Sequence, residues 1–198
     1  MAYGDFTLEE LKAKFNITIV EKVGIFKKAN PVSTNISILQ SILDRNVPLA
    51  LAINTEKARS EMIIAPVLLE LLSLFEGKIS LFSGSEFNVD KALGLNGFLD
   101  FLISLSPEQL YIESPVAIIV EAKKEDLNQG IPQCVAAMLG ATRFNQSRGQ
   151  SISPIYGAVT TGNLWKFLQL EKNLVTIDLN EYYISPVESL LGVLSYAI

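Results

Sequence analysis

Residues 117 to 127, "AIIVEAKKEDL", constrain this chain more than any other stretch. Ile118, Ile119 and Val120 are consecutive β-favouring residues, which suits a strand covered on both faces in the middle of a sheet. Charge follows at once with Glu121 and Lys123. Side chains alternate across a strand, so Glu121 and Lys123 point to one side, roughly 6 to 7 Å apart, and Ala122 to the other. Two readings fit: a strand leaving the core for solvent, or a catalytic pair fixed at a strand end.

The remaining chain frames that strand. Its 198 residues support one well-cored domain, so residues 1–198 read as a single unit, with 1–50 as an N-terminal extension packed on the core. No internal repeat or low-complexity tract divides it. Thr7 with Glu10 is a capping-box pattern opening a helix over "LEELKAKF", and "ITIV" after it reads as a strand. A helical pattern runs from Ile36 to Leu43. "TEKARSEMIIAPVLLELLSLF" is the longest helical stretch by pattern, and Pro66 inside it predicts a kink or break.

Strands are expected near Lys78 to Val89, Gly97 to Leu105 and Val116 to Ala122. "GIPQCVAAMLGATRF" follows as a helix with Pro132 in its first turn. "PIYGAVTT", "LWKFLQLE" and "LVTIDL" read as strands, the last two joined by a tight Lys172-Asn173 turn. Ser185, Pro186 and Glu188 predict a capping box that opens a C-terminal helix. Helix, three strands, helix, further strands and helix give an α/β sandwich around a mixed sheet.

Composition limits the chemistry. Histidine is absent, which removes Ser-His and Cys-His catalysis and the common zinc sites together. The single Cys134 permits no internal disulfide and reads as a small buried apolar residue. Acid-base or metal work must therefore use carboxylates, lysine, tyrosine or water. Charged residues make up 19% and apolar ones 49%, against roughly 25% charged in ordinary globular domains. That balance predicts extra buried surface, as in an oligomer interface. The net charge of -5 weighs mildly against a nucleic-acid partner. No apolar run reaches membrane-spanning length and no leader pattern is evident, which predicts a soluble, cytoplasmic protein.

Glu-x-Lys occurs three times, as Glu10/Lys12, Glu76/Lys78 and Glu121/Lys123, and only the last follows a buried strand pattern. Asp100 lies among Leu99, Phe101, Leu102 and Ile103. An unpaired carboxylate buried there costs several kcal/mol, so it needs a partner, a metal or a sheet edge. Glu61 stands on the stripe of Ile64, Ala65, Leu68 and Leu72, expected to face the core. Three carboxylates converging with a lysine form a hard-oxygen site suited to Mg²⁺ or Mn²⁺. Lys123 beside such an ion could orient or deprotonate water and balance charge on a phosphate. The matching chemistry is metal-assisted phosphodiester hydrolysis.

In these residues the sequence resembles the PD-(D/E)XK nuclease superfamily, whose fold is the restriction endonuclease-like three-layer sandwich with a mixed sheet flanked by helices. The resemblance covers roughly residues 55 to 170. Asp100 matches the first motif acid, Glu121-Ala122-Lys123 the triplet on the next strand, Glu61 the upstream helix acid, and Gln133 a glutamine carried by several branches. Leu99 stands where the family name has proline. The resemblance implies that Asp100 and Glu121 bind metal, that Glu61 binds it directly or through water, that Lys123 serves the water and scissile phosphate, and that Gln133 supports the site. The implied activity is a Mg²⁺-dependent endonuclease acting on DNA, as a homodimer or a component of a larger complex. The rival reading is a non-catalytic protein-interaction subunit that keeps the fold. Lys124, Arg143, Arg148 and Lys166 are candidate phosphate contacts on one side of the site. Trp165 reads as sheet-face packing rather than a base-stacking residue.

Overall fold

The computed structural model describes residues 1–198. In chain order the elements are α1 (Leu8–Phe15), β1 (Thr18–Lys22), α2 (Ser37–Ile53), α3 (Glu56–Arg59), α4 (Ala65–Leu74), β2 (Ser80–Glu86), β3 (Phe98–Ser104), β4 (Val116–Ala122), α5 (Leu127–Ser147), β5 (Ile155–Thr160), β6 (Leu164–Glu171), β7 (Leu174–Asp178), β8 (Tyr182–Tyr183) and α6 (Val187–Tyr196). The strands form one mixed eight-stranded sheet in the order β1-β7-β6-β5-β4-β3-β2, with β8 beside β6. β4 runs parallel to β5 and antiparallel to β3, which leaves it in the interior of the sheet. All seven of its residues are buried, as its run of branched apolar side chains requires.

Strand alternation divides the interior into two cores. Leu102, Ile119, Val159 and Leu168 join one with α5, while Phe101, Val120, Ala158, Trp165 and Phe167 join the other with α2, α4 and α6. Helices therefore cover both faces. Trp165 is fully buried, its indole donating to the Gly162 carbonyl at 2.9 Å, and Cys134 is free and buried. The first residues are built into the fold: β1 pairs in parallel with β7 at the sheet edge, and Tyr3, Phe6, Leu11 and Ile17 are buried in the α5 core. No helix is long and apolar enough to cross a membrane.

Several helices differ from the sequence expectation. α2 runs on to Ile53 through Pro48. Pro48 and Asp44 both face solvent, where water can take the carbonyl that the missing N–H leaves free. The 55–75 stretch is not one α-helix: a wide π turn, Ser60–Ile64, separates α3 from α4 just before Pro66. The longest α-helix is α5, which starts at Leu127 on an Asp126 cap, so Pro132 lies inside it and not in its first turn. The Ser185/Glu188 capping box does not form. Glu188 instead accepts a hydrogen bond from the Gln40 amide at 2.6 Å.

Candidate active site at the end of β3 and β4

The register Phe101↔Val120, Leu102↔Ile119 and Ile103↔Ile118 aligns the two strands that carry the acids. One step further it would set Asp100 opposite Glu121. The backbone ladder stops there, and the Ala122 N–H donates to Asp100 Oδ2 at 2.8 Å. A side chain thus replaces a ladder carbonyl at the point where the strands separate. Asp100 is half-buried.

Beyond Ala122 the Lys123 N–H donates to the Thr160 carbonyl at 2.8 Å, which ties the end of β4 to β5. The Lys123 ammonium donates to Glu121 Oε1 at 2.6 Å and lies 3.5 Å from Gln133 Oε1 on α5. The side chains of Lys123 and Glu121 are 19% and 2% exposed, so this ion pair is largely withdrawn from water. Room for the lysine stem comes from Gly130. A Cβ there would lie 2.5 Å from Val159 Cγ1 and 3.1 Å from Lys123 Cγ.

Glu121 is the most constrained group of the set. Its second oxygen, Oε2, is buried with no donor aimed at it, and the carboxyl when protonated donates to Asp100. Burial, followed by the charge of Asp100, pushes the carboxyl up to about 8 against the opposing pull of Lys123. Burial draws the Lys123 ammonium down, but its hydrogen bond to Glu121 and the charges of Glu121, Glu56 and Asp100 outweigh that and hold it above the ordinary lysine range. The two shifts favour opposite charge states for Glu121. The upward shift of Glu121 governs, because its carboxyl is nearly sealed from water while the lysine keeps an exposed edge.

The structure brings together Asp100, Glu121, Lys123 and Gln133, but not Glu61. Glu61 is exposed, with its carboxylate 3.0 Å from the Lys57 ammonium. Its expected place on the core-facing stripe is lost because the π turn closes i→i+5 and slips the phase of everything N-terminal to Ile64. Asp100 and Glu121 meet as a pair; no cluster of three acidic, cysteine or histidine groups suited to an ion forms. The acid from this helical region whose charge reaches Lys123 is Glu56, in the first turn of α3. Sequence reading passed over it, since an acid after a Thr N-cap reads as ordinary helix-end charge.

The basic residues also divide. Lys166 Nζ lies 3.5 Å from Asn128 in the first turn of α5, and Lys124 pairs with Glu125 at 3.1 Å, so both stay at this end of the sheet. Arg143 and Arg148 lie at the far end of α5, about 15 and 22 Å along the axis from Gln133, with Arg148 stacked over Phe144. They do not flank the site as expected. A cavity of about 610 Å³ between α2 and the start of α6 includes none of the candidate residues. No family model matches this chain, and no curated protein matches it.

Proposed function

We propose that this protein is a metal-dependent deoxyribonuclease with a restriction endonuclease-like fold, which hydrolyses DNA phosphodiester bonds at the Asp100/Glu121/Lys123 cluster. The observation that carries this reading is the carboxyl of Glu121, sealed beside a second acid whose charge and hydrogen bond raise its proton affinity. Such an arrangement is costly for folding alone. A cation held by Asp100 and Glu121 would take the place of the shared proton and offset the repulsion between the two ionised acids, which are hard oxygen donors of the kind Mg²⁺ and Mn²⁺ select. When bound, the ion would supply Lewis acidity and a more acidic water.

The chain's own residues account for the rest of the chemistry. Lys123, held charged and in place by Thr160, Glu121 and Gln133, would stabilise the negative charge that develops on the phosphoryl oxygens. Gln133 would limit where the ammonium swings. Lys124 and Lys166, at the same end of the sheet, would take flanking phosphates. On this reading the protein works as a homodimer or within a larger complex.

A second reading, an interaction subunit that keeps the fold without cleavage, is favoured by one observation. Ile38, Leu49 and Ile53 on α2 are 75%, 50% and 46% exposed, and their spacing sets them along one face of the helix.

Incubation with supercoiled, linear and single-stranded DNA in Mg²⁺ or Mn²⁺ separates the two readings. EDTA, Asp100→Ala and Lys123→Ala serve as controls. The nuclease reading expects cleavage by the wild type that each control abolishes. Absence of cleavage together with no divalent-ion binding by calorimetry overturns it in favour of the interaction subunit.

A further inference from the structure

Arg59, the last residue of α3, is only 9% exposed, yet no carboxylate lies within ion-pair distance of it. Its guanidinium donates to neutral acceptors alone: the Thr161 carbonyl at 2.9 Å, Asn163 Oδ1 at 2.9 Å and Asn54 Oδ1 at 3.0 Å. Its Nε is buried without a partner. The charge of Glu125 reaches it only from beyond ion-pair distance, and burying a guanidinium on neutral acceptors is expensive, so its place in the fold calls for a reason.

The acceptors indicate one. Thr161 and Asn163 belong to the turn between β5 and β6, and Thr160, the residue before, presents the carbonyl that holds the Lys123 N–H. On the other side, Asn54 is the left-handed residue that ends α2, so the same guanidinium ties the α2–α3 junction to this turn. Arg59 therefore grips the turn whose first residue holds the Lys123 backbone. The π turn that follows seats it: Ile63 packs against Gly162, where φ is +88° and an added Cβ would lie 3.2 Å from Ile63. A π turn inside a helix commonly marks a functional constraint on the chain.

From this geometry we infer that Arg59 is a positioning residue, whose planar fork locks the 160–163 turn so that Lys123, held by the Thr160 carbonyl, stays at its working place. The fork matters more than the charge, because Nη1 serves Thr161 and Asn163 while Nη2 serves Asn54, a spread over two nitrogens that the single nitrogen of an ammonium does not reproduce. The catalytic consequence rests on the nuclease reading, whereas the structural grip does not.

The test uses the full chain with Arg59→Met, Arg59→Lys and the milder Asn163→Ala, which removes one acceptor and keeps the protein folded should loss of Arg59 prevent folding. Amide hydrogen exchange is read at Lys123 against Val120 and Leu168 as measures of global opening. The expected result is a loss of Lys123 protection about tenfold beyond the global change in both Arg59 variants and smaller in Asn163→Ala, with no rescue by lysine. If the DNA assay shows wild-type cleavage, kcat should fall by up to about 100-fold in Arg59→Lys with KM little changed. Lys123 protection that tracks the global amides in every variant overturns the inference, and so does full rescue by lysine. Absence of cleavage in the wild type with selective loss of Lys123 protection overturns the nuclease reading alone and leaves the positioning role standing.

Discussion

Asp100 and Ala122 are joined by a side chain where the sheet would ordinarily use a backbone carbonyl, with Asp100 Oδ2 accepting the Ala122 N–H at 2.8 Å. This contact fixes the Asp100 carboxylate at the point where β3 leaves β4, beside the Glu121 carboxyl whose proton affinity it raises. The strand pair thus delivers two acids to one place, and β5, through Thr160, delivers the lysine. Each partner is supplied by a different segment, so the cluster exists only when the sheet is assembled.

Glu121 makes metal-free stability fall with rising pH. Its carboxyl holds a proton in the folded protein up to about 8, whereas its ordinary value is 4.5. Between those values the folded state binds a proton that the unfolded chain has released, so unfolding becomes easier as pH rises, and the effect levels off above about 8. Glu121→Gln removes this dependence. In EDTA the variant should gain on the order of 3 kcal/mol relative to the wild type between pH 5 and 9, read as a widening difference in denaturant midpoint. A constant difference across that range contradicts the burial argument.

The same carboxyl couples ion binding to protons. A cation at Asp100 and Glu121 displaces the Glu121 proton, so affinity for Mn²⁺ should rise with pH and level off above about 8. Titration calorimetry in two buffers of different ionisation enthalpy should record release of close to one proton per ion at pH 7. Zero proton release with tight binding places the ion elsewhere.

How much of this was legible before folding depends on how local each signal is. The boundaries of β4 and the capping box of α1 follow from adjacent residues, and both lie where the pattern puts them. Asp100 announced itself because an acid among Leu99, Phe101 and Leu102 has few ways to be tolerated. Glu61 misled because its face was counted along a uniform helix, while the π turn that shifts it is imposed by packing of Ile63 on Gly162, a contact between segments nearly 100 residues apart. The start of α5 was hidden for a different reason: its Asp126 cap sits within the charged run that reads as a loop. Arg59 gave no signal at all, since an arginine beside Glu56 and Lys57 in a short polar stretch reads as surface until its acceptors are assembled.

Glu56 and Glu61 should behave oppositely. The Lys57–Glu61 pair is exposed, 82% and 60% at its two side chains, and pairs of this kind contribute little. Glu61→Ala should leave thermal stability and DNA cleavage unchanged. Glu56→Ala removes a charge felt by Lys123 and should lower cleavage about three- to tenfold at low salt, with the deficit shrinking at high salt through screening. The reverse ranking would restore Glu61 to the site.

Gly130→Ala tests whether the close approach of α5 to β4 and β5 is a requirement of the site. Helix propensity alone favours alanine over glycine by about 1 kcal/mol. The new Cβ, however, would lie 2.5 Å from Val159 Cγ1, on a stiff branched side chain of an interior strand, and 3.2 Å from Lys123 Cε. The valine cannot turn away without disturbing β5, so the clash should outweigh the propensity gain and destabilise the protein by about 1 to 3 kcal/mol. The lysine stem is the part free to move, so the ammonium should leave its place between Glu121 and Gln133, and cleavage should fall further than stability. Thermal denaturation and the DNA assay on the same preparation measure both effects, and a variant that is more stable and equally active would show that α5 has slack at this contact.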